Sequence, residues 1–379
     1  MKRRQYTATA SENWMHTMTD LSESDSWYLQ PGPDSDVVLS TRIRVARNLA
    51  DFPFPEFQKG DDAQRVETLA FDAFSQLADA DDWQLLSVSS MDKLGRQLLA
   101  ERSILPTDVI DSGSGAVAVR TDGKMSCTVN RHDHLHLAAV LPGFVPNDCL
   151  EMVRTTDASI QKYLNFAGNK EFGYLTSRLK DSGTGMKVSC LLHLPSVHEL
   201  ELQDTLFRSL VDSGFDVYAC FAPAGSEVTS LGAWYRISTN HAFPMSETDQ
   251  LASITSAGRN IVEIERKARQ DIMLTKPTVV RDRVYRALAA VKFSKFITLR
   301  EGVELISALK WGVDLGLLAG VTDSQLYSLL IRIQGGHLTF ALRSGDVEFE
   351  KDVTAPEQKI SRLRALIMQE DILPLEPVY

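Results

Sequence analysis

Arg42 and Arg44 stand two positions apart in Ser40-Thr41-Arg42-Ile43-Arg44-Val45-Ala46-Arg47-Asn48, a stretch that is apolar and β-branched between its charges. A strand turns successive side chains to opposite faces, so both guanidiniums point the same way. Two planar forks on one face suit bidentate hydrogen bonding to phosphate oxygens. An isolated Arg-x-Arg pair would more readily fit a solvated strand edge, so its neighbours must decide. A second group is Arg131-His132-Asp133-His134-Leu135-His136. Histidines two apart on a strand lie about 6.6 Å from each other on one face and could share a zinc. The third, about 13 Å from the first, needs a different site. No H-E-x-x-H motif or cysteine cluster supports a metal, so these read as ordinary strand histidines lining a cleft. Ser189 and Ser226 have no convincing His/Asp partnership, which argues against nucleophilic hydrolysis.

The elements that position these residues follow from periodicity. Strand-like runs fall at 83–88, 116–119, 125–129 and 187–192, with Asp122-Gly123 as a hairpin turn between the second and third. Amphipathic helices are expected at 62–80, 148–166 and 201–213. After Pro244 the chain turns helical, at 246–273, 279–293, 302–319, 323–334 and 356–369, with Pro277, Gly302 and Gly320 between segments. The fold class is α+β: a large, mostly antiparallel sheet flanked by helices, then a helical C-terminal domain. Three regions are expected, a loose extension at 1–24, an α+β domain at 25–245 and a helical domain at 246–379. Met18 is an alternative start.

With 40 Lys and Arg against 50 Asp and Glu, the 379-residue chain carries a net charge of −10. Its pI is near 5.4. Such an acidic balance does not suit a general nucleic-acid or membrane binder, although a local basic pocket for an anion is compatible with it. Cys127, Cys149, Cys190 and Cys220 are far apart with no C-x-x-C spacing, as in a reduced, cytoplasmic protein. No apolar run of about 18 residues exists to span a membrane, and none follows the basic Met1-Lys2-Arg3-Arg4 to make a secretory signal. Trp311 and Met368 sit at helical core spacing, while Lys295, Arg300, Arg362 and Arg364 read as solvated charges.

Context removes the ambiguity of the arginine pair. Pro31-Gly32-Pro33-Asp34-Ser35-Asp36 precedes it and Asp51-Phe52-Pro53-Phe54-Pro55 follows. Further along come Asn130, Asp133, His134 and Leu135, then Gly173-Tyr174-Leu175-Thr176-Ser177, Gly183-Thr184-Gly185 and Leu192-His193-Leu194-Pro195. Gly225-Ser226-Glu227, Ile237-Ser238, Asp282-Arg283-Val284-Tyr285-Arg286 and Gly312-Val313-Asp314-Leu315-Gly316 complete the series. In order and spacing, over most of residues 31–320, this pattern resembles the ATP:guanido phosphotransferases, the phosphagen kinase family. It is most similar to the bacterial protein-arginine kinases, whose helical domain follows the sheet instead of preceding it.

That resemblance implies a glutamine-synthetase-like sheet binding ATP or ADP with Mg²⁺. It further implies five phosphate-binding arginines, a glutamate base and a cysteine beside the guanidinium. Moving a phosphoryl group to a guanidinium needs fixed cations around the phosphates and a carboxylate to hold and deprotonate the acceptor. Carried over residue by residue, Ser40, Thr41, Arg42, Ile43 and Arg44 match the first nucleotide-binding strand. The third arginine falls on His136, the fourth on Lys187 and the fifth on Ala219. The base glutamate falls on His132, the cysteine on Arg178 and the guanidinium-loop glutamate on Ala224. General-base loss alone costs about 10² to 10⁴ in rate. A cation at Arg178 facing a cationic acceptor adds roughly 4 kcal/mol of repulsion at about 4 Å and an effective dielectric near 20.

The expected function is therefore a catalytically impaired, nucleotide-binding or regulatory relative of protein-arginine kinase. Nucleotide contacts would be Ser40, Thr41, Arg42, Ile43, Arg44, His136 and Lys187, with His132 and Arg178 at substituted catalytic positions. The alternative is an active phosphotransferase acting on protein arginine or a non-guanidine acceptor, since Arg131, His132 and Arg178 suit an anion. By resemblance the partners would be a zinc-finger activator, a Clp-type unfoldase or a stress repressor. The oligomeric state is left open, a homodimer included. The bacterial kinases' phosphoarginine motif R-D-x-x-R-A is only loosely resembled by Lys359 to Ala365.

Overall fold

A computed structural model describes residues 26–221, 230–242, 244–345 and 347–378. Its centre is an antiparallel sheet of eight strands. In chain order these are β1 (Val38–Arg47), β2 (Trp83–Ser87), β3 (Ala116–Arg120), β4 (Met125–Val129), β5 (Leu135–Pro142), β6 (Met186–His193), β7 (Phe215–Ala219) and β8 (Trp234–Thr239). Across the sheet they run β2-β3-β4-β5-β1-β6-β8-β7, so the Arg-x-Arg strand lies near the middle. The turn expected at Asp122-Gly123 joins β3 and β4. Gly123 takes a φ of 70°, and Asp122 Oδ1 accepts from the Lys124 amide at 2.9 Å.

Alternation gives the sheet two unlike faces. Ile43, Val45, Cys127, Leu137, Val188 and Ile237 point to one side and form the main core. Apolar stripes of α1 (Asp62–Phe74), a helix α2 (Lys93–Glu101) lying apart from this core, α3 (Pro146–Ile160), α4 (Gln203–Asp212) and α5 (Glu247–Thr275) complete this layer, α2 excepted. The other face carries Ser40, Arg42, Arg44, His136, Lys187, Ser189, Arg236 and Ser238, and it floors a cleft.

The C-terminal helices are α6 (Pro277–Phe293), α7 (Leu299–Asp314), α8 (Asp323–Arg332), α9 (Gly335–Ser344) and α10 (Pro356–Asp371). Their core includes Val284, Leu309, Trp311, Leu329 and Met368. A reciprocal Ser246/Asp249 capping box starts α5, and Pro277 occupies the first turn of α6. The boundary expected at 245/246 thus falls at a helix start. Most of that helix nevertheless belongs to the sheet, since Ile254, Ile261, Val262 and Ala268 pack in the sheet's core and Ile272 in the helical one.

Two expected surface charges need correction, and helix α9 lies outside the helices expected from periodicity. Its first turn is capped from outside, with Glu101 accepting from the amides of Gly336 at 2.6 Å and His337 at 3.0 Å. Arg362 and Arg364, expected to be solvated, are buried. Arg362 forks onto Glu350, while Arg364 donates to the carbonyls of Ile333 and Ile297 at 2.9 and 2.8 Å. Both guanidiniums find partners inside the packing, although Arg362 Nη1 has none, and periodicity alone cannot place them. Among the described residues no helix is long and apolar enough to cross a membrane.

Candidate functional site

The cleft has a volume of about 840 Å³. Its floor is the polar face of the sheet, one wall is the segment around Glu101–Ile110, and the other wall is α8 with Tyr327, Leu330 and Ile331. Trp27 closes the apolar end, with its ring 5.7 Å from that of Tyr327.

Register fixes how the floor is tiled. Arg42 pairs with Val140 of β5 and Ser189 of β6, and Arg44 pairs with Ala138 and Lys187. Ser238 pairs with Ser189, and Arg236 pairs with Leu191. Arg42, Arg44, Arg236, Lys187, Arg178 and Lys180 therefore converge on one space. Burial comes first, and the neighbouring Arg236 and Arg44 second, in pulling the Arg42 guanidinium down to about 10. Arg44 is lowered too, mainly by burial, with Asp181 3.8 Å away opposing the shift. Its Nε is buried and unpartnered. Such like charges held together in low dielectric favour an incoming anion.

Thr41 and Ile43, expected among the nucleotide contacts, turn the other way. Thr41 is fully buried and donates from Oγ1 to the Gly143 carbonyl at 2.7 Å, while Ile43 sits in the main core. Strand alternation that aims the arginines into the cleft necessarily aims these two out of it. Ser40 does line the cleft.

His136 reaches the floor, but not as a free cation. Its Nε2 donates to Asp133 Oδ2 at 2.9 Å, and burial followed by the Arg44 charge lowers it to about 4, so it is neutral near pH 7. Burial alone would raise Asp133. Bonds from His136, the Ser177 amide and Asn48 outweigh it and hold this carboxyl well below the usual range. Asp133 thereby ties the loop bearing Ser177 to the sheet. His134 is spent on structure, with Nδ1 accepting from the Leu49 amide at 2.9 Å and Nε2 facing the Pro53 carbonyl at 3.0 Å. Lys187 Nζ lies 3.2 Å from Asp216 Oδ2.

Arg178, matched by resemblance to the family's cysteine, lines the cleft. Arg178 Nη2 donates to His132 Nε2 at 3.3 Å. Arg131 pairs with Asp108. Ala219 lines the rim, whereas Ala224, Ser226 and the Gly225-Ser226-Glu227 segment lie outside the described residues.

Sequence reasoning missed Arg236, Ser238 and Tyr327 as cleft residues. A signal existed for the first two: Trp234-Tyr235-Arg236-Ile237-Ser238 has the same two-residue spacing that exposes Arg42 and Arg44. Tyr327 arrives from a distant helix, and burial pushes its phenol up to about 12 beside Ser40.

The family model for the ATP:guanido phosphotransferase C-terminal catalytic domain matches residues 65–268 of the chain, more than half of it. The chain belongs to the ATP:guanido phosphotransferase family. A second model, the protein-arginine kinase McsB C-terminal domain, matches residues 277–374. Curated relatives agree. The chain is 29% identical over 347 residues to a protein-arginine kinase of Geobacillus sp. (strain WCH70), covering 91% of this chain and 93% of that one. It is 30% identical over 320 residues to that of Brevibacillus brevis (strain 47 / JCM 6285 / NBRC 100599), covering 83% and 88%. Among solved structures, lombricine kinase aligns with a TM-score of 0.53 at 19% identity over 65% of this chain and 70% of that one. The taurocyamine kinase of Schistosoma mansoni aligns at 0.55 and 17%, over 71% and 39%. These last two likenesses speak for the fold alone. This family member carries the Arg42/Arg44 pair on its central sheet, with Arg178 lining the same cleft and hydrogen-bonded to His132.

Proposed function

We propose that this protein-arginine-kinase-like chain binds ATP or ADP weakly in the cleft and serves as a nucleotide-binding or regulatory protein, its guanidine-phosphorylating chemistry impaired. The observation that carries this reading is the Arg178–His132 hydrogen bond at the acceptor end. A guanidinium needs a carboxylate there, both to hold it and to take its proton. Among the described residues, the carboxylates nearest the floor are engaged. Asp181 faces Arg44, Asp216 takes Lys187 and Tyr218, and Asp133 takes His136, Asn48 and Ser177.

The phosphate end supports retained nucleotide affinity. Arg42 and Arg236 pair with no carboxylate among the described residues, and Arg44 Nε is unpartnered. A polyphosphate would satisfy all three. Magnesium would enter on the nucleotide, held by phosphate oxygens and water as this ion prefers. The cleft carboxylates Asp181 and Glu101 already have partners.

A second reading keeps an active phosphotransferase with protein arginine or a non-guanidine acceptor. Arg178 favours the anionic case, because its guanidinium lines the cleft where an acceptor would enter. Incubating the pure protein with labelled ATP, magnesium and a protein mixture, alongside calorimetric nucleotide titration, separates the readings. Affinity without transfer supports the first, and label on any acceptor supports the second. Kinship with protein-arginine kinases makes a zinc-finger activator, a Clp-type unfoldase and a stress repressor the partner classes to test. Four free cysteines suit a reducing, cytoplasmic setting.

A further inference from the structure

We infer that Arg236 and Ser238 of β8 form, together with Arg42, an oxyanion subsite that holds one phosphate group of the cleft's ligand. This inference rests on the nucleotide reading of the cleft and adds to it a contact from a strand beyond the Arg-x-Arg pair.

Geometry places the three side chains on one tile of the floor. Ser238 lies across β6 from Arg42, in the row Arg42–Ser189–Ser238, and Arg236 occupies the next row on the same face. The α-carbons of Arg42 and Arg236 are roughly 12 Å apart on the lattice of the sheet. Two extended arginine side chains close that gap, and each guanidinium feels the other's charge.

Each of the three groups wants something the fold does not supply. No carboxylate pairs with Arg236 or Arg42 among the described residues. Ser238 is only 2% exposed, and its Oγ has no hydrogen-bond partner. A buried hydroxyl without a partner is rare in a folded protein and points to a ligand. Around them stand Leu191, Cys220 and Tyr327, which lower the local dielectric. Two unpaired cations and a free hydroxyl in such a place match the tetrahedral, anionic oxygens of a phosphate.

Like charges side by side oppose folding, which separates a binding role from a structural one. Removing Arg236 should leave thermal stability unchanged or raise it, while weakening the ligand. The test is calorimetric titration of the native protein, Arg236→Gln, Ser238→Ala and Arg42→Ala with ADP, pyrophosphate and adenosine. Arg236→Gln should weaken ADP and pyrophosphate on the order of ten- to hundredfold, and Ser238→Ala several-fold, with adenosine unaffected. An Arg236→Gln protein of native thermal stability, whose ADP and pyrophosphate affinities stay within about twofold of native, overturns the subsite. If that variant does not fold, Arg236→Lys carries the test: the charge without the fork should still weaken pyrophosphate, and unchanged affinity overturns the subsite. Native protein that binds no ADP overturns the nucleotide reading, and the subsite falls with it.

Discussion

Arg178 Nη2 donates to His132 Nε2 across 3.3 Å, joining the two residues that resemblance alone sets at the family's cysteine and base positions. The histidine lone pair that could accept a proton is occupied by a cation. Under the proposed reading, that arrangement would stabilise neither a guanidinium nor its deprotonation. The first prediction concerns activity. Free arginine or a casein-like protein, incubated with ATP and magnesium, should yield no phosphoarginine. Acid-labile, arginine-linked phosphate formed at kinase-like rates of about 1 to 100 s⁻¹ would contradict it.

Nucleotide binding should be weak and should decline with salt, because exposed phosphate contacts are screened. Arg42→Ala should weaken ADP by roughly 1.5 to 3 kcal/mol, the usual range for a charge-assisted hydrogen bond. Titration at two ionic strengths checks both claims. Chelating magnesium should change ADP affinity less than Arg42→Ala does, since among the described residues the cleft carboxylates Asp181 and Glu101 already have partners.

The Asp133–His136 pair predicts a pH dependence of stability. His136 titrates at about 4 when folded and near 6.5 when unfolded, so between these values the unfolded chain binds more protons. Stability is therefore lost as pH falls from about 6.5 to 4, by up to roughly 3 kcal/mol from this residue. Asp133, held below its ordinary value, adds a loss at still lower pH. Urea unfolding at stepped pH should show His136→Gln flattening the upper part of this decline.

Rescue tests the placement of the third phosphate position. His136→Arg would set a fork beside Arg42 and Arg44 and give Asp133 a permanent partner, so ATP affinity should rise. Adding His132→Glu and Arg178→Cys should yield at most traces of arginine phosphorylation, because parts of a catalytic unit are strongly non-additive. Unchanged ATP binding in a folded His136→Arg protein would mean that residue 136 does not meet the phosphates.

Glu101 links the two halves of the molecule through the first turn of α9 and the His337 ring at 2.7 Å. Glu101→Ala should destabilise by about 1 to 3 kcal/mol, the penalty for stripping partners from buried donors. Thermal unfolding measures it.

How far the sequence carried the argument depended on the range of the interaction. Period-two alternation is local, so the Arg42/Arg44 face and the strands around it were readable. Taken strictly, the same rule turns the Thr41 and Ile43 side chains away from the cleft and brings Arg236 and Ser238 onto its floor. His136 matched a phosphate position by alignment, yet its charge is set by Asp133 and by burial, which no spacing reveals. Tyr327 reaches Ser40 from nearly three hundred residues away. Arg362 and Arg364 needed carbonyl and carboxylate partners from other elements before they could be buried.

Binding without transfer is the central claim, and a single calorimetric experiment reads both parts of it. ATP with magnesium is titrated into the protein in the presence of excess free arginine. The account predicts saturable binding heat that returns to baseline after each injection, diminished in Arg42→Ala. Sustained heat flow from turnover, or no binding heat at millimolar ATP, would contradict it.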